Sequence, residues 1–173
     1  MGAKVFWITG PWRGRLGIVP RPRGGEWLDD ETRTWRDAGI DVVVSLLEPD
    51  EEEELALTGE SASSVASGLD FRSFPIADRG VPSSHEAVAQ LVDHIVDALH
   101  AGKSVALHCR QSIGRSAMIA AAALISGGQD ADTAINAVRR SRGLEMPETH
   151  AQRQWISDFS SWLANQRAAQ SPG

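Results

Sequence analysis

The sequence predicts an α/β fold in which a central, mostly parallel sheet is flanked by helices. Residues 41–47 and 103–107 are short runs of apolar and β-branched residues, which are typical of strands covered on both faces. Between them, an amphipathic helix is predicted because apolar residues recur at helical spacing: Val88, Leu91, Val92, Ile95 and Leu99. Predicted strands and helices alternate along the chain, an order that favours parallel strands.

The composition indicates a soluble protein. The chain has 173 residues; we expect residues 1–167 to form one domain and residues 168–173 to be a flexible tail. A net charge of -6 argues against a nucleic-acid partner. No apolar run approaches the roughly 18 residues that cross a bilayer, so we expect a cytoplasmic protein with no membrane partner. The single cysteine excludes an internal disulfide and a multi-cysteine zinc site, and we expect no metal or other cofactor.

The N-terminal part of the chain is predicted to contain a strand, a loop and a helix. Residues 5–8 are an apolar run typical of a strand, and residues 29–38 are predicted to be a helix that Gly39 ends. Between them, the chain up to Gly25 is rich in Gly, Pro and Arg and is predicted to be a loop. Its basic stretch, residues 13–23, is interpreted as solvated, with recruitment of an anionic partner as the alternative.

The middle of the chain adds a helix, a strand and the start of the amphipathic helix. Residues 51–57 are predicted to begin a helix, and the acidic run at its start is interpreted as solvated, since carboxylates stabilise a helix N-terminus. Residues 71–76 are predicted to be a strand, followed by a loop over residues 77–82. Ser83 and Glu86 form a capping-box pattern, which predicts where the amphipathic helix begins.

Helices are also predicted in the C-terminal part, over residues 116–126, over residues 132–140 and from near Pro147 onwards. The last helix carries an apolar stripe that we assign to the core rather than to a ligand platform: Trp155, Ile156, Phe159, Trp162 and Leu163. These helices close the chain.

The most informative segment is HCRQSIGRS, residues 108–116, which joins a predicted strand to a predicted helix. Consecutive backbone N–H groups at a helix start form a site for a phosphate-sized anion, and Cys109 lies at its floor. A nearby arginine and a helix N-terminus stabilise a thiolate, so Cys109 is the candidate nucleophile. Arg115 is the candidate ligand of phosphoryl oxygens, because a guanidinium can bind two of them at once.

The loop after Cys109 is expected to bind substrate and to hold phosphate or sulfate through its amides and its arginine. The residues concerned are Arg110, Gln111, Ser112, Ile113, Gly114 and Arg115. Attack of a thiolate on phosphorus gives a phosphocysteine, and charge then develops on the equatorial oxygens. The amides and Arg115 are placed to stabilise that charge.

Other residues are assigned roles around this loop. Asp78 follows a predicted strand and is expected at the same sheet edge as Cys109, where it would protonate the leaving oxygen and then activate water. The Ser116 hydroxyl is expected to donate to the leaving thiolate, a role compatible with capping the helix. His108 is expected to order the loop through hydrogen bonds rather than to transfer a proton.

These motifs resemble those of the cysteine-dependent protein tyrosine phosphatases, and the short chain is most similar to their dual-specificity branch in its compact bacterial form. The family's His-Cys-x5-Arg-Ser/Thr motif is matched by His108, Cys109, Arg115 and Ser116. Asp78, in the sequence FPIADRG, matches the family's general acid by context and position. The resemblance extends over about residues 40–162 and implies the phosphatase fold and phosphomonoester hydrolysis through phosphocysteine.

The resemblance also bears on the substrate and on the loop conformation. Lipid-directed relatives tend to carry more positive charge in the loop than Arg110 supplies, which favours a phosphorylated protein or peptide. The family usually has Ala-Gly where this chain has Gln111-Ser112, and strain is expected at Ser112 because glycine tolerates a positive φ. Gln152 or Gln154 is a candidate for positioning water, although solvent exposure is the favoured interpretation.

Two other functions stay open at this point. A phosphate-binding module of the same fold, without useful turnover, is compatible with Gln111-Ser112. Another thiolate enzyme, such as a sulfurtransferase or an arsenate reductase, would also use a loop of this length. The lack of a second cysteine argues against an intramolecular relay, and sulfur transfer gives Asp78 no evident task.

Overall fold

The structure, a computed structural model, describes residues 2–171 of the chain, and a five-stranded sheet lies at its centre. The strands are β1 (Phe6–Ile8), β2 (Leu16–Ile18), β3 (Val42–Ser45), β4 (Asp70–Ser73) and β5 (Val105–His108). Their order in the sheet is β1-β2-β5-β3-β4, with β1 antiparallel to β2 and the other neighbours parallel. The predicted α/β fold with a mostly parallel sheet is confirmed.

Helices cover both faces of this sheet. They are α1 (Leu28–Asp37), α2 (Pro49–Glu54), α3 (Glu60–Ala66), α4 (His85–His100), α5 (Arg115–Ser126), α6 (Ala131–Arg142) and α7 (His150–Gln170), and a short 3₁₀ helix (Gly25–Trp27) precedes α1. Within residues 2–171, no helix is both long enough and apolar enough to cross a membrane.

The two faces of the sheet contact different helices, because successive strand residues point to opposite sides. Val42 and Val44 belong to the larger core, together with residues of α4, α5, α6 and α7. Val43, which lies between them, packs in a smaller core with Trp35 of α1. The sheet therefore has α4–α7 on one face and α1, packed with α3, on the other.

The amphipathic helix α4 is confirmed, since its predicted apolar residues are all buried. Its N-cap is Ser84, whose Oγ accepts a hydrogen bond from the Ala87 amide over 3.1 Å. The capping box predicted at Ser83 is therefore wrong by one residue. The cap satisfies a backbone donor that the first helical turn leaves without a partner.

The predicted loop that extends to Gly25 is wrong in its middle, where Leu16–Ile18 forms β2. Three residues are too few to show a periodicity, but β2 lies between β1 and β5 and hydrogen-bonds to both. Its residues are buried, so the basic stretch is not a solvated loop throughout. Arg13 and Arg21, which lie on either side of β2, are exposed.

The last helix begins later than predicted, at His150 rather than near Pro147. Its N-cap is Thr149, whose hydroxyl accepts from the Gln152 amide while the Gln152 side chain accepts from the Thr149 amide, each over 3.1 Å. This reciprocal pair satisfies two backbone donors and fixes the helix start.

The aromatic stripe of α7 belongs to the core, as predicted. Trp155, Ile156 and Phe159 are buried, and Trp162 packs half-buried against the same cluster. The helix continues to Gln170, into the segment expected to be a tail; residues 172–173 of that segment lie outside the described residues.

The carboxyl ends of the parallel strands meet at one edge of the sheet, and the candidate residues follow them. Cys109 comes directly after β5, and Asp78 lies in the loop after β4. The strand between these two is β3, which leads into α2. The chain segments that follow β3, β4 and β5 therefore converge at this edge.

Candidate active site

Cys109 is the first residue of the signature loop, residues 109–115, which joins β5 to α5. The cysteine is 2% exposed, and its Sγ accepts a hydrogen bond from the Ser112 amide over 3.1 Å. The α5 helix begins at Arg115, with Gly114 at its N-cap. An inward-pointing amide and a helix N-terminus both favour an anion at this position, as the sequence predicts.

Arg115 is held by a carboxylate from α2. Its Nη1 donates to Glu51 Oε1 over 2.6 Å, and its Nη2 donates to Glu51 Oε2 over 2.9 Å. Nη1 also donates to the Ile76 carbonyl over 2.9 Å. All of these contacts use the two Nη atoms, and Nε takes part in none of them.

The Arg115–Glu51 pair stays charged although both side chains are buried. Burial alone would raise the pKa of Glu51, but hydrogen bonds from Arg115 and from the Glu48 amide bring it below its usual value. Burial alone would lower the pKa of Arg115, but Glu51, Cys109 and Asp78 together hold it above its usual value. A fixed cation therefore lies beside the cysteine.

Asp78 reaches the same place from the acid loop, residues 77–82, which follows β4. Its Oδ1 accepts a hydrogen bond from Arg115 Nη2 over 3.0 Å, and its side chain is 52% exposed. Asp78, Cys109 and Arg115 line one small pocket. The structure thus brings together the residues predicted as nucleophile, phosphate ligand and acid.

Gln152 links the two loops, and its predicted solvent exposure is wrong. The residue is fully buried, and its Nε2 donates to the Gly80 carbonyl of the acid loop over 3.1 Å. A Cβ added at Gly114 would lie 2.6 Å from Gln152 Oε1, so the signature loop has no space for a side chain there. Gln154 is exposed, as predicted, and donates to Asp158.

Ser112 adopts the left-handed backbone conformation expected at this position, with φ of 58°. Its Oγ donates to the Val19 carbonyl over 2.7 Å, at the end of β2. The side chain that makes this backbone conformation costly therefore also ties the loop to the sheet. The next residue, Ile113, is half-buried and packs against the larger core.

His108 pairs with a residue that the sequence analysis did not single out. Its Nε2 lies 2.5 Å from Glu60 Oε1, and the two side chains are 0% and 2% exposed. The His108 ring also packs near the ring of Trp35, with centroids 5.9 Å apart. Glu52 lies near this pair, and its pKa is raised first by burial and then by the negative charge of Glu60. This cluster fixes the residue before Cys109, in line with the ordering role expected for His108.

Ser116 and the mouth of the loop complete the predicted set. Ser116 is fully buried, but it does not cap α5, because it lies two residues after the N-cap. Its Oγ has no hydrogen-bond partner among the described residues. Arg110 and Gln111 lie at the mouth, where Arg110 Nη1 donates to Glu54 Oε2 over 2.9 Å.

Glu51 and Glu60 are the site residues that the sequence analysis missed. The acidic run was predicted to be solvated, but Glu51 is only 7% exposed. Nothing in the run distinguishes Glu51 from its acidic neighbours; the start of α2 at Pro49 decides which carboxylate faces Arg115. Glu60 begins α3, a short helix whose sequence shows no apolar periodicity.

Comparisons with known proteins point to phosphatases. Residues 19–129 match a family model described as "Polymorphic toxin system, DSP-PTPase phosphatase". No curated protein matches the chain.

Similar folds occur among solved phosphatase structures. A kinase associated phosphatase whose catalytic-site cysteine is replaced by serine has a TM-score of 0.87 and 19% identity, over 95% of this chain and 97% of that chain. Tk-PTP in its active form has a TM-score of 0.75 and 26% identity, over 93% and 99% of the two chains. PTPMT1 in complex with PI(5)P has a TM-score of 0.75 and 20% identity, over the same two shares.

Proposed function

The chain belongs to the DSP-PTPase phosphatases of polymorphic toxin systems, and on that premise we propose that it hydrolyses phosphorylated proteins through a phosphocysteine on Cys109. The family and the shared fold confirm the resemblance to the cysteine-dependent protein tyrosine phosphatases. The observation that carries the finer proposal is the convergence of Cys109, Arg115 and Asp78 on one pocket.

Substrate binding places the phosphoryl group between Cys109 and Arg115. The amides of the signature loop and the Arg115 guanidinium donate to its oxygens. Nη2 of Arg115 donates a hydrogen bond to Asp78 Oδ1. A phosphoryl oxygen takes that place, and the Asp78 carboxyl moves to the oxygen of the leaving group.

The first chemical step transfers the phosphoryl group to sulfur. The Cys109 thiolate attacks phosphorus, the S–P bond forms, and the bond from phosphorus to the leaving oxygen breaks. The proton of the Asp78 carboxyl moves to that oxygen, so the peptide leaves with a neutral hydroxyl. Arg115 and the loop amides stabilise the charge on the equatorial oxygens throughout.

The second step releases phosphate. Asp78, now a carboxylate, accepts a proton from water while the water oxygen attacks phosphorus and the S–P bond breaks. The Ser116 hydroxyl donates to the departing thiolate; this role is supported by its buried Oγ, which has no hydrogen-bond partner within residues 2–171. Gln152 acts as a positioning residue, because it holds the acid loop through Gly80 and lies beside the signature loop.

The test is phosphate release from phosphotyrosine, phosphoserine and phosphothreonine peptides, with PI(5)P tested as a non-protein substrate. We expect the wild-type protein to release phosphate from peptides and the Cys109→Ser variant to release none. Acid quenching followed by mass spectrometry should find phosphate on the Cys109 peptide. Unchanged phosphate release by the Cys109→Ser variant would contradict the mechanism.

A binding measurement and a thiocyanate assay, made beside the phosphate-release experiment, separate the two alternatives that the sequence leaves open. A binding module retains phosphopeptides but releases no phosphate from any of them. A sulfurtransferase forms thiocyanate from thiosulfate and cyanide and shows no phosphatase activity. Either result would replace the proposed function.

A further inference from the structure

A basic groove lies beside the signature loop, and we propose that it binds an anionic side chain that flanks the phosphorylated residue of a peptide substrate. This inference rests on the proposed function and extends it to substrate selection. The groove has a volume of about 440 Å³ and carries the arginines Arg21, Arg23 and Arg110. Pro22 and Leu55 form an apolar part of the groove's wall.

The sheet topology places this groove at the active-site edge. β2 runs parallel to β5, with Ile18 opposite Leu107, so the chain after β2 emerges at the same edge as Cys109. Arg21 lies in that segment, and its Nη1 donates to the Arg110 carbonyl over 2.5 Å. Arg21 therefore contacts the backbone of the signature loop.

The basic stretch is divided between the two ends of β2. Arg13 precedes β2 and lies at the opposite edge, where the next residue, Gly14, donates from its amide to the Leu99 carbonyl over 2.8 Å. Arg13 and Arg21 are both exposed arginines of the same segment. Only the one after β2 lies next to the signature loop, so the two form a matched pair for a test.

The charges of the groove are unequally neutralised. Arg110 pairs with Glu54 over 2.9 Å, and Arg23 pairs with Glu31 over 2.9 Å. Arg21 makes no ion pair within 4.0 Å with any carboxylate of residues 2–171. In a chain of net charge -6, Arg21 is thus an uncompensated cation at the mouth of the site. Such a cation fits a carboxylate or a second phosphate on the substrate.

The position of the groove selects residues close to the phosphorylated one. Arg110 directly follows Cys109, and neighbouring Cα atoms are about 3.8 Å apart, so the Arg110 carbonyl is within one or two residue lengths of the nucleophile. The prolines of the groove fix backbone angles and reduce the ordering that binding requires. An extended peptide is therefore the substrate that this surface fits, with its anionic side chain near the phosphoresidue.

The experiment measures binding rather than turnover, so that it stands apart from the test of the proposed function. Fluorescent phosphotyrosine peptides would be titrated into the Cys109→Ser protein, in pairs that differ by Glu or Gln at one flanking position. At one such position we expect the Glu peptide to bind about fivefold more tightly, the value of a well-placed surface ion pair. When Arg21→Gln is introduced into the Cys109→Ser protein, the two peptides should bind with equal affinity. When Arg13→Gln is introduced instead, the preference for the Glu peptide should remain.

Several outcomes would overturn the inference. They are equal binding of the paired peptides at every position, an unchanged preference in the Arg21→Gln protein, or no peptide binding at all. Tighter, Arg21-dependent binding of a PI(5)P headgroup than of any peptide would assign the groove to a phosphoinositide instead. If Arg21→Gln disturbs the fold by circular dichroism, Arg21→Lys keeps the charge and should retain a weaker preference.

Discussion

Glu51 accepts hydrogen bonds from both Nη atoms of Arg115, so the guanidinium is fixed along one edge. Fixed charges that need no rearrangement during reaction stabilise a transition state more than mobile ones do. Nη2 of Arg115 also donates to Asp78, which lines the pocket. One hydrogen-bond network therefore joins Glu51, Arg115 and the candidate acid Asp78.

The Glu51→Gln variant should lose both activity and stability. It keeps one acceptor for Arg115 but leaves the buried guanidinium without its countercharge. We expect kcat/KM to fall by about 10- to 100-fold because the phosphate ligand is less well placed. The free energy of unfolding should fall by about 2–3 kcal/mol, measured by urea denaturation. Glu53→Gln, an exposed neighbour in the same acidic run, is the control and should match the wild type.

The same carboxylate should make stability depend on pH. The pKa of Glu51 is lower in the folded protein than its ordinary value of 4.5. The unfolded chain therefore takes up the proton first as the pH falls, and the stabilisation is present above this ordinary value and lost as the pH falls through the lower folded value. Urea denaturation between about pH 3 and about pH 7 should give a flatter stability profile for Glu51→Gln than for the wild type. Parallel profiles would show that Glu51 does not carry the effect.

The Asp78→Ala variant should respond to the leaving group. With phosphotyrosine peptides, whose leaving oxygen needs a proton, kcat should fall by about 10²- to 10⁴-fold. With p-nitrophenyl phosphate, whose leaving group departs as a stable anion, the loss in the first step should be much smaller. Rapid-quench measurement of the first turnover compares the two. An equal loss with both substrates would argue against Asp78 as the acid, and Asp93→Ala, exposed on α4, serves as the control.

Two substitutions at Ser112 separate backbone strain from the hydrogen bond to Val19. Ser112→Ala removes the 2.7 Å bond but keeps a Cβ at positive φ, and should cost about 1–2 kcal/mol of stability. Ser112→Gly removes the same bond and also relieves the left-handed strain, so it should be about 1 kcal/mol more stable than Ser112→Ala. Thermal unfolding of the two variants measures the difference, and the reverse order would show that strain is absent.

Glu60 is expected to act through His108 as a positioning residue. Glu60→Ala leaves a buried imidazole without its partner and should lower the free energy of unfolding by about 2 kcal/mol. The signature loop should then be less ordered, and kcat should fall. Glu60→Gln keeps an acceptor at the same place and should restore most of the activity. Equal activity of the two variants would show that the hydrogen bond does not order the loop.

The elements that the sequence predicts well are those whose pattern is local. The continuous β-branched run of β3 indicates a strand that is buried on both faces, and the helical spacing of apolar residues in α4 indicates one buried face. The segments HCRQSIGRS and FPIADRG also carry their chemistry in sequence, and parallel topology then brings Cys109 and Asp78 to one edge.

The features that escape prediction depend on partners distant in sequence. The hydrogen bonds of β2 come from β1 and β5, and its three residues carry no periodicity of their own. Glu51 and Gln152 look like ordinary exposed helix residues until the fold turns them toward Arg115 and Gly80. The contacts by which such side chains support a site join distant parts of the chain, so no local pattern reveals them.

The burial of α5 has a consequence for motion within the site. Every residue from Arg115 to Ile125 is buried, packed between the sheet and three other helices. Backbone amides in such a helix exchange hydrogen with solvent only when the whole domain opens, whereas a loop carrying the half-exposed Asp78 exchanges through local fluctuations. We therefore expect hydrogen exchange to be slower along α5, behind the nucleophile, than along the loop that carries the acid.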